Sequence, residues 1–210
     1  MKLLILPLLI SLIAHAGNRV GNGGDVLVCE ERKPAVQLLD MFEAEDAKID
    51  LIADDTKGTY EEILRARLDL LTKVAPKLGE QYKRRLKSIK DQLNFKEKVT
   101  LTDVKDSLHA IMPSEGKCKL NQIVIRQAIP TGDSEKKFLV DKGLWEKLSS
   151  RDRAALILHE IVYEHFTNLG DWDSRYARKL NGLIFSKKFE SMESGKFWLF
   201  IKEFELPLYP

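Results

Sequence analysis

The sequence predicts an α+β fold dominated by helices, in one domain that follows a signal peptide. Apolar residues recur at every third or fourth position over much of the chain, and a few short runs are rich in β-branched residues. The length of 210 residues suits one substantial domain. Lysine and arginine total 34 against 32 aspartate and glutamate, so the chain lacks the basic excess that is typical of nucleic-acid-binding proteins.

The first sixteen residues, MKLLILPLLISLIAHA, have the pattern of a secretory signal peptide. One early lysine precedes an apolar run, and Ala14 and Ala16 have the spacing of a cleavage site. We therefore expect a mature, periplasmic or secreted chain that begins near Gly17, with an uncleaved anchor as the alternative. The apolar run is shorter than the roughly 20 residues that a membrane span needs, and we expect no span in the mature chain.

Two cysteines, Cys29 and Cys118, are the only ones in the chain. Because thiols pair in the oxidising compartments outside the cytoplasm, we predict a disulfide between them. Two buried free thiols are the alternative.

Residues 17–33 form a glycine-rich leader and a first strand, DVLVCE. A phosphate-binding glycine loop follows a strand and opens a helix, whereas these glycines precede the strand, so we interpret them as a leader or turn. Residues 34–210 then form the α+β domain.

Helical periodicity dominates residues 34–95. VQLLDMFEAEDA predicts a first helix, and two amphipathic segments follow, separated by Pro76. Since proline interrupts helical hydrogen bonding, these two segments are either a kinked rod or a helical hairpin. The basic cluster on the second segment is interpreted as a solvated face, with contact to anionic envelope polymers as the alternative.

The second half predicts short strands and two long helices. The predicted strands are KVTLT, NQIVIRQA, KFLV and a last strand within KFWLFIKEFEL. DVKDSLHAIM predicts a short helix that carries His109, which we interpret as a surface or turn residue. The predicted helices cover residues 150–168 and 174–189.

The first of these helices contains a His-Glu pair, His159 and Glu160, within AALILHEIVYEHF. On a helical wheel His159 faces inward with Tyr163, which is the residue one turn later. A zinc hydrolase helix needs a second histidine there, and a phenol with an ordinary pKa near 10 is a poor replacement.

The segment FLVDKGLWEKLSSRDRAALILHEIVY resembles the approach to the active helix of zincin metallopeptidases, especially the gluzincins, over about an eighth of the chain. The resemblance implies a first metal ligand at His159, a general base at Glu160, and a degenerate second-ligand position at Tyr163. GNGGDVLVC together with HEIVY also resembles a group of uncharacterised exported bacterial proteins.

The following helix adds candidate binding residues, namely Ser174, Arg178 and Asn181, with Asp173 as its expected N-cap. If the two helices are neighbours, Arg178 is expected to pair with Glu160 or Glu164, and Asn181 to approach His159. We favour a structural role for this polar cluster, in which buried polar groups satisfy one another. A metal-free catalytic or ligand-binding site is the second interpretation, and zinc held by His159 and Asp173 is the third.

Together these features predict an exported, envelope-associated binding protein of zincin-like type with a degenerate metal site and no cofactor, which binds an unknown envelope component or protein. The alternative is a periplasmic peptidase or amidase that uses His159, Glu160 and Tyr163, with zinc as its cofactor. A third class is a structural or inhibitory protein whose interface is the aromatic tail near Trp198.

Overall fold

Short strands and longer helices alternate along the chain in the computed structural model, which describes residues 20–22, 24–97, 99, 101, 110–114, 116–127, 136–171 and 173–210. The strands are β1 (Val20–Asn22), β2 (Asp25–Cys29), β3 (Val36–Leu38), β4 (Leu93–Lys96), β5 (Cys118–Gln122), β6 (Val124–Gln127) and β7 (Phe138–Asp141). The helices are α1 (Leu39–Asp46), α2 (Tyr60–Val74), α3 (Pro76–Ile89), α4 (Lys142–Lys147), α5 (Ser150–Asn168), α6 (Arg175–Ile184) and α7 (Ser194–Glu203), with 3₁₀ turns at Lys90–Gln92 and Lys187–Ser191. The helix-dominated α+β class predicted from the sequence is confirmed.

The strands form two small sheets, with the orders β1-β6-β7-β4 and β3-β2-β5. Only β4 and β7 pair in parallel; the other described pairs are antiparallel. The predicted strand NQIVIRQA splits at Ile123 into β5 and β6, which belong to different sheets. The Ile123 backbone N–H donates to Gly24 O, and its carbonyl accepts from Asp141 N–H, so one residue bridges the two sheets.

Helix α5 lies at the centre of the molecule and packs against α1, α2, α3 and α6. Its N-terminus is capped by Ser149, whose hydroxyl accepts a hydrogen bond of 3.0 Å from the Asp152 N–H. Every residue from Ala154 to Tyr163 is buried, as expected for a helix that is covered on all sides. The helix ends before Gly170, whose φ of +94° lets the chain turn towards α6.

Helices α2 and α3 form the antiparallel hairpin that was one of the two alternatives at Pro76. Lys83 pairs with Asp69 at 2.7 Å, and Lys90 pairs with Glu61, so the two helices run in opposite directions past each other. At the closest approach a Cβ on Gly79 would lie 2.6 Å from Thr72 Cα. Only glycine fits at this crossing without a shift of the backbone.

Several predicted boundaries are wrong. Residues 36–38 of the expected first helix form β3, and the strand expected at residues 98–102 lies earlier, at β4; of those five residues only Val99 and Leu101 are described, and neither is in a strand. The helix expected over residues 174–189 ends at Ile184. His109 and most of the short helix expected around it lie outside the described residues, and residues 110–112 are not helical.

The last strand expected in KFWLFIKEFEL is instead helix α7. Phe197 and Ile201, one helical turn apart, are both buried in the core. Because every position from Phe197 to Ile201 is apolar, the sequence fits both the helical and the strand repeat. Packing of Phe197 and Ile201 against the core selects the helix.

The predicted disulfide joins Cys29 of β2 and Cys118 of β5, which are paired in the β2-β5 register. Both described cysteines are therefore used, and the free-thiol alternative is excluded. None of the helices in the described part of the chain has the length and apolar character to cross a membrane. The segment predicted as a signal peptide, residues 1–16, lies outside the described residues.

Candidate functional site

Four charged or polar side chains meet inside the protein, and we call Asp40, His159, Glu160 and Asn181 the polar network. Three helices supply them: α1 carries Asp40, α5 carries His159 and Glu160, and α6 carries Asn181. Each of the four residues is at most 1% exposed. Packing of α1 and α6 against α5 places Asp40, His159 and Asn181 away from solvent, and Gly24, just before β2, contacts Glu160.

Asp40 is the centre of the network. One carboxylate oxygen, Oδ2, lies 2.8 Å from His159 Nδ1 and accepts a hydrogen bond of 2.7 Å from Asn181 Nδ2. Asn181 also donates to the carbonyl of Ala155 at 2.9 Å, which joins α6 to the α5 backbone. Asn181 and His159 were expected to approach each other, and the structure connects them through a shared carboxylate that the sequence analysis did not include.

The charges of Asp40 and His159 stabilise each other. Burial alone would lower the pKa of His159, but the negative charge of Asp40 and its hydrogen bond raise that pKa to about 9. Burial would likewise raise the pKa of Asp40, and the charge and hydrogen bond of His159 outweigh it, so the pKa is lowered. The two groups therefore form a buried imidazolium–carboxylate pair at neutral pH.

Glu160 lies beside this pair and is bound by the leader. Its Oε1 accepts a hydrogen bond of 2.7 Å from the backbone N–H of Gly24. Burial raises the pKa of Glu160 to about 7, although His159 and the Gly24 N–H act in the opposite direction. A general base must reach a proton of its substrate, and this carboxyl group is enclosed.

The polar network retains unused hydrogen-bonding capacity. Among the described residues, no partner is found for Asp40 Oδ1, His159 Nε2, Glu160 Oε2 or Asn181 Oδ1. Three of these atoms are oxygens that accept hydrogen bonds, and the fourth is a nitrogen that donates when the ring is protonated. Hydrogen bonds within the network and from the backbone of Gly24 and Ala155 order these side chains, yet four polar atoms are left without a partner among the described residues.

The other predicted catalytic residue, Tyr163, lies one turn along α5. Its ring centroid is 6.0 Å from that of His159, and the guanidinium carbon of Arg126 lies 6.0 Å from the Tyr163 centroid. Tyr163 is buried, so it lines the same region of the interior as His159.

The predicted binding residues Arg178 and Ser174 lie next to the polar network. Arg178 Nε donates to Glu43 Oε2 at 2.7 Å, and its Nη1 donates to Ser174 Oγ at 2.5 Å. The expected partners of Arg178, Glu160 and Glu164, are not used. Glu164 instead binds Arg85 and Lys137 on the opposite side of α5.

The proposed metal ligands His159 and Asp173 have different surroundings. The Asp173 carboxylate accepts from the Arg175 N–H at 2.8 Å and pairs with the Arg175 guanidinium, while Ser174 takes the N-cap position expected for Asp173. Within the described residues no group of three or more His, Cys, Asp or Glu side chains is arranged to hold a metal ion. An imidazole that favours its protonated form also lacks the lone pair that a metal needs.

Sequence reasoning missed Asp40, Glu43 and Gly24. Asp40 and Glu43 lie three positions apart in α1, which also carries Glu45 and Asp46, so residue type alone does not show which acidic side chains face the interior. A buried charge predicts a partner but does not identify it. The Gly24 N–H could not be found from the sequence, because a backbone donor has no signature in residue type.

No family model, curated protein or solved structure matches this chain. The zincin resemblance of the His-Glu helix therefore stays a prediction.

Proposed function

We propose that this chain is an exported, envelope-associated binding protein, with the polar network as internal support for a neighbouring ligand cavity. The cavity lies between α1, α6 and α7 and measures about 200 Å³. Its polar end includes Asp40, Glu43 and Arg178, and its walls include Ala44, Ala47, Ile49, Ile111, Gly182, Phe200 and Phe204. Such a volume suits a group the size of a large side chain rather than a long substrate.

The observation that carries the proposal is the enclosure of the His-Glu pair. His159 and Glu160 are each 1% exposed, and Asp40 and Gly24 already bind them. The nearby Arg178–Glu43 pair, in contrast, borders a cavity. Polar groups at one end of an apolar cavity are the usual means of orienting a bound ligand.

Exposed apolar side chains at the cavity rim support a macromolecular partner. Ile111 and Phe204 both line the cavity and are 44% and 40% exposed, respectively. Large apolar groups that remain in solvent around a concavity are typical of interaction sites. The disulfide Cys29–Cys118 supports export, because such bonds persist in oxidising compartments.

Closing the cavity tests this proposal. Ala47 is exposed at the end of α1 and lines the cavity, so Ala47→Trp should fill it with little cost to folding. We expect wild type and the exposed control Lys77→Trp to enrich the same partner from an envelope extract, and Ala47→Trp to lose it. A peptidase or amidase activity of the purified protein that Glu160→Gln abolishes would contradict the proposal and support the hydrolase alternative.

A further inference from the structure

A second concavity lies between α2, the preceding loop and the 3₁₀ turn Lys187–Ser191. We call it the Arg67 groove. Its volume is about 820 Å³, and Ile63 and Leu70 contribute apolar walls. This volume falls in the range of about 300–1,000 Å³ that is usual for small-molecule sites.

Arg67 lines this groove and is unusually buried for an arginine, at 4% exposure. Its Nη2 donates to Glu190 Oε1 at 3.1 Å, whereas its buried Nη1 has no partner among the described residues. Burial lowers the pKa of Arg67, and the charge and hydrogen bond of Glu190 oppose this. The guanidinium therefore has donor capacity that the fold leaves unused.

A purely structural role explains this arrangement poorly. Glu190 also lines the groove, but its side chain is 59% exposed, so the ion pair with Arg67 is open to solvent on one side. Exposed ion pairs contribute little to stability, whereas burial of a guanidinium is costly. A methionine or leucine would fill the same space on α2 without that cost.

The remaining charges around the groove favour an anion. Lys57 and Lys73 also line it, and no described carboxylate pairs with either. Of the other charged residues that line the groove, Lys187 pairs with Asp50 and Asp69 with Lys83, while Glu62 accepts hydrogen bonds from the neutral groups of Thr59. The lining carries four cationic and three anionic side chains. The groove therefore offers one buried guanidinium and two unpaired ammonium groups beside an apolar wall.

We propose that the Arg67 groove binds a small ligand that carries a carboxylate or phosphate on an apolar body, with the oxyanion on Arg67 in place of Glu190. Planar guanidinium groups bind both kinds of oxyanion through paired hydrogen bonds. The apolar body would contact Ile63 and Leu70. This inference does not depend on the function proposed for the α1–α6–α7 cavity.

Calorimetric titration with phenyl phosphate, phenylacetate and the uncharged phenylacetamide tests the proposal. We expect saturable binding of at least one anion and none of the amide, and the tighter anion identifies the oxyanion class. Arg67→Met should weaken that binding by about tenfold or more. The control Arg65→Met, an exposed position on the same helix, should leave it unchanged. Glu190→Gln should tighten binding, because it removes the competing carboxylate.

Equal binding of the amide, unchanged affinity in Arg67→Met, or no saturable binding of either anion would overturn the proposal. If Arg67→Met does not fold, the wild-type arginine side-chain NMR signals provide the test. The chemical shifts of the Arg67 side chain should change upon anion addition, and those of Arg65 should not. Shifts that change for Arg65 but not for Arg67 would overturn the proposal.

Discussion

At the residue scale, the buried carboxyl group of Glu160 is only partly satisfied by hydrogen bonds. Its carboxyl group is bound on one oxygen by the Gly24 N–H, while Oε2 has no partner among the described residues. The protonated form, or an amide of the same shape, would supply a donor at the second position. Burial therefore favours the uncharged state of this residue.

Replacement of Glu160 by glutamine should remove the pH-dependent free-energy cost of burying a charged carboxylate. The pKa of Glu160 is raised from 4.5 to about 7 in the folded state. The protonated carboxyl group therefore stabilises the fold fully below pH 4.5, and this stabilisation is lost as the pH rises through about 7. Glu160→Gln should thus exceed wild type by on the order of 2 kcal/mol in unfolding free energy above pH 7.5, and by much less at pH 4.5.

Urea unfolding at both pH values measures this difference, and Glu203→Gln, an exposed change on α7, is the control. A Glu160→Gln variant that is less stable than wild type at high pH would show that the carboxylate charge is needed for folding.

At the residue scale, the sequence predicted which α5 and α6 side chains cluster but not what holds them together. His159 and Asn181 face the same interior because helical periodicity fixes the face on which each lies. Their common partner, Asp40, comes from a helix more than a hundred positions earlier. Long-range pairing of this kind depends on how the helices are arranged, which periodicity does not determine.

At the scale of elements, the α2–α3 hairpin depends on a close contact at Gly79. A Cβ there would lie 2.6 Å from Thr72 N and Cα, so the helices must separate to admit it. Gly79→Ala should therefore lower the free energy of unfolding by about 1–3 kcal/mol, despite the better helix propensity of alanine.

The matched control is Gly195→Ala in α7, where a Cβ would meet nothing within 4 Å. This change should be neutral or stabilising by up to about 1 kcal/mol. Chemical unfolding of both variants gives the comparison, and equal stability gains at the two sites would contradict the close packing of the hairpin.

Elements whose apolar residues fit only the helical repeat, such as α5, were predicted well. Elements whose apolar residues fit both the helical and the strand repeat were not. The bounds of α5 agree with the predicted residues 150–168, because Ser149 caps its start and Gly170 ends it. Helix α7 and strand β3 lie in apolar runs that fit either period. Whether each forms a helix or a strand depends on the tertiary surfaces that cover it, and the local sequence does not predict those surfaces.

At the scale of the whole molecule, the disulfide joins β2 to β5, which lie in one sheet although the two cysteines are 89 positions apart in the chain. A loop of this length is expected to stabilise the fold by about 4 kcal/mol through the unfolded state. The Cys29→Ala/Cys118→Ala variant should have a correspondingly lower midpoint in thermal unfolding. Reductant should lower the wild-type midpoint and leave that of the variant unchanged; equal midpoints without reductant would contradict this role.

The central claim is that His159 belongs to a closed, charged pair with Asp40 rather than to a metal or hydrolytic site. NMR titration of the His159 imidazole nitrogens tests it most directly. We predict a pKa near 9, raised above the ordinary 6.5, and a marked fall in Asp40→Asn, where burial and the charge of Arg178 are opposed only by the charge of Glu160. A wild-type pKa at or below 6.5, or a His159 Nε2 signal that moves when zinc is added, would contradict the account.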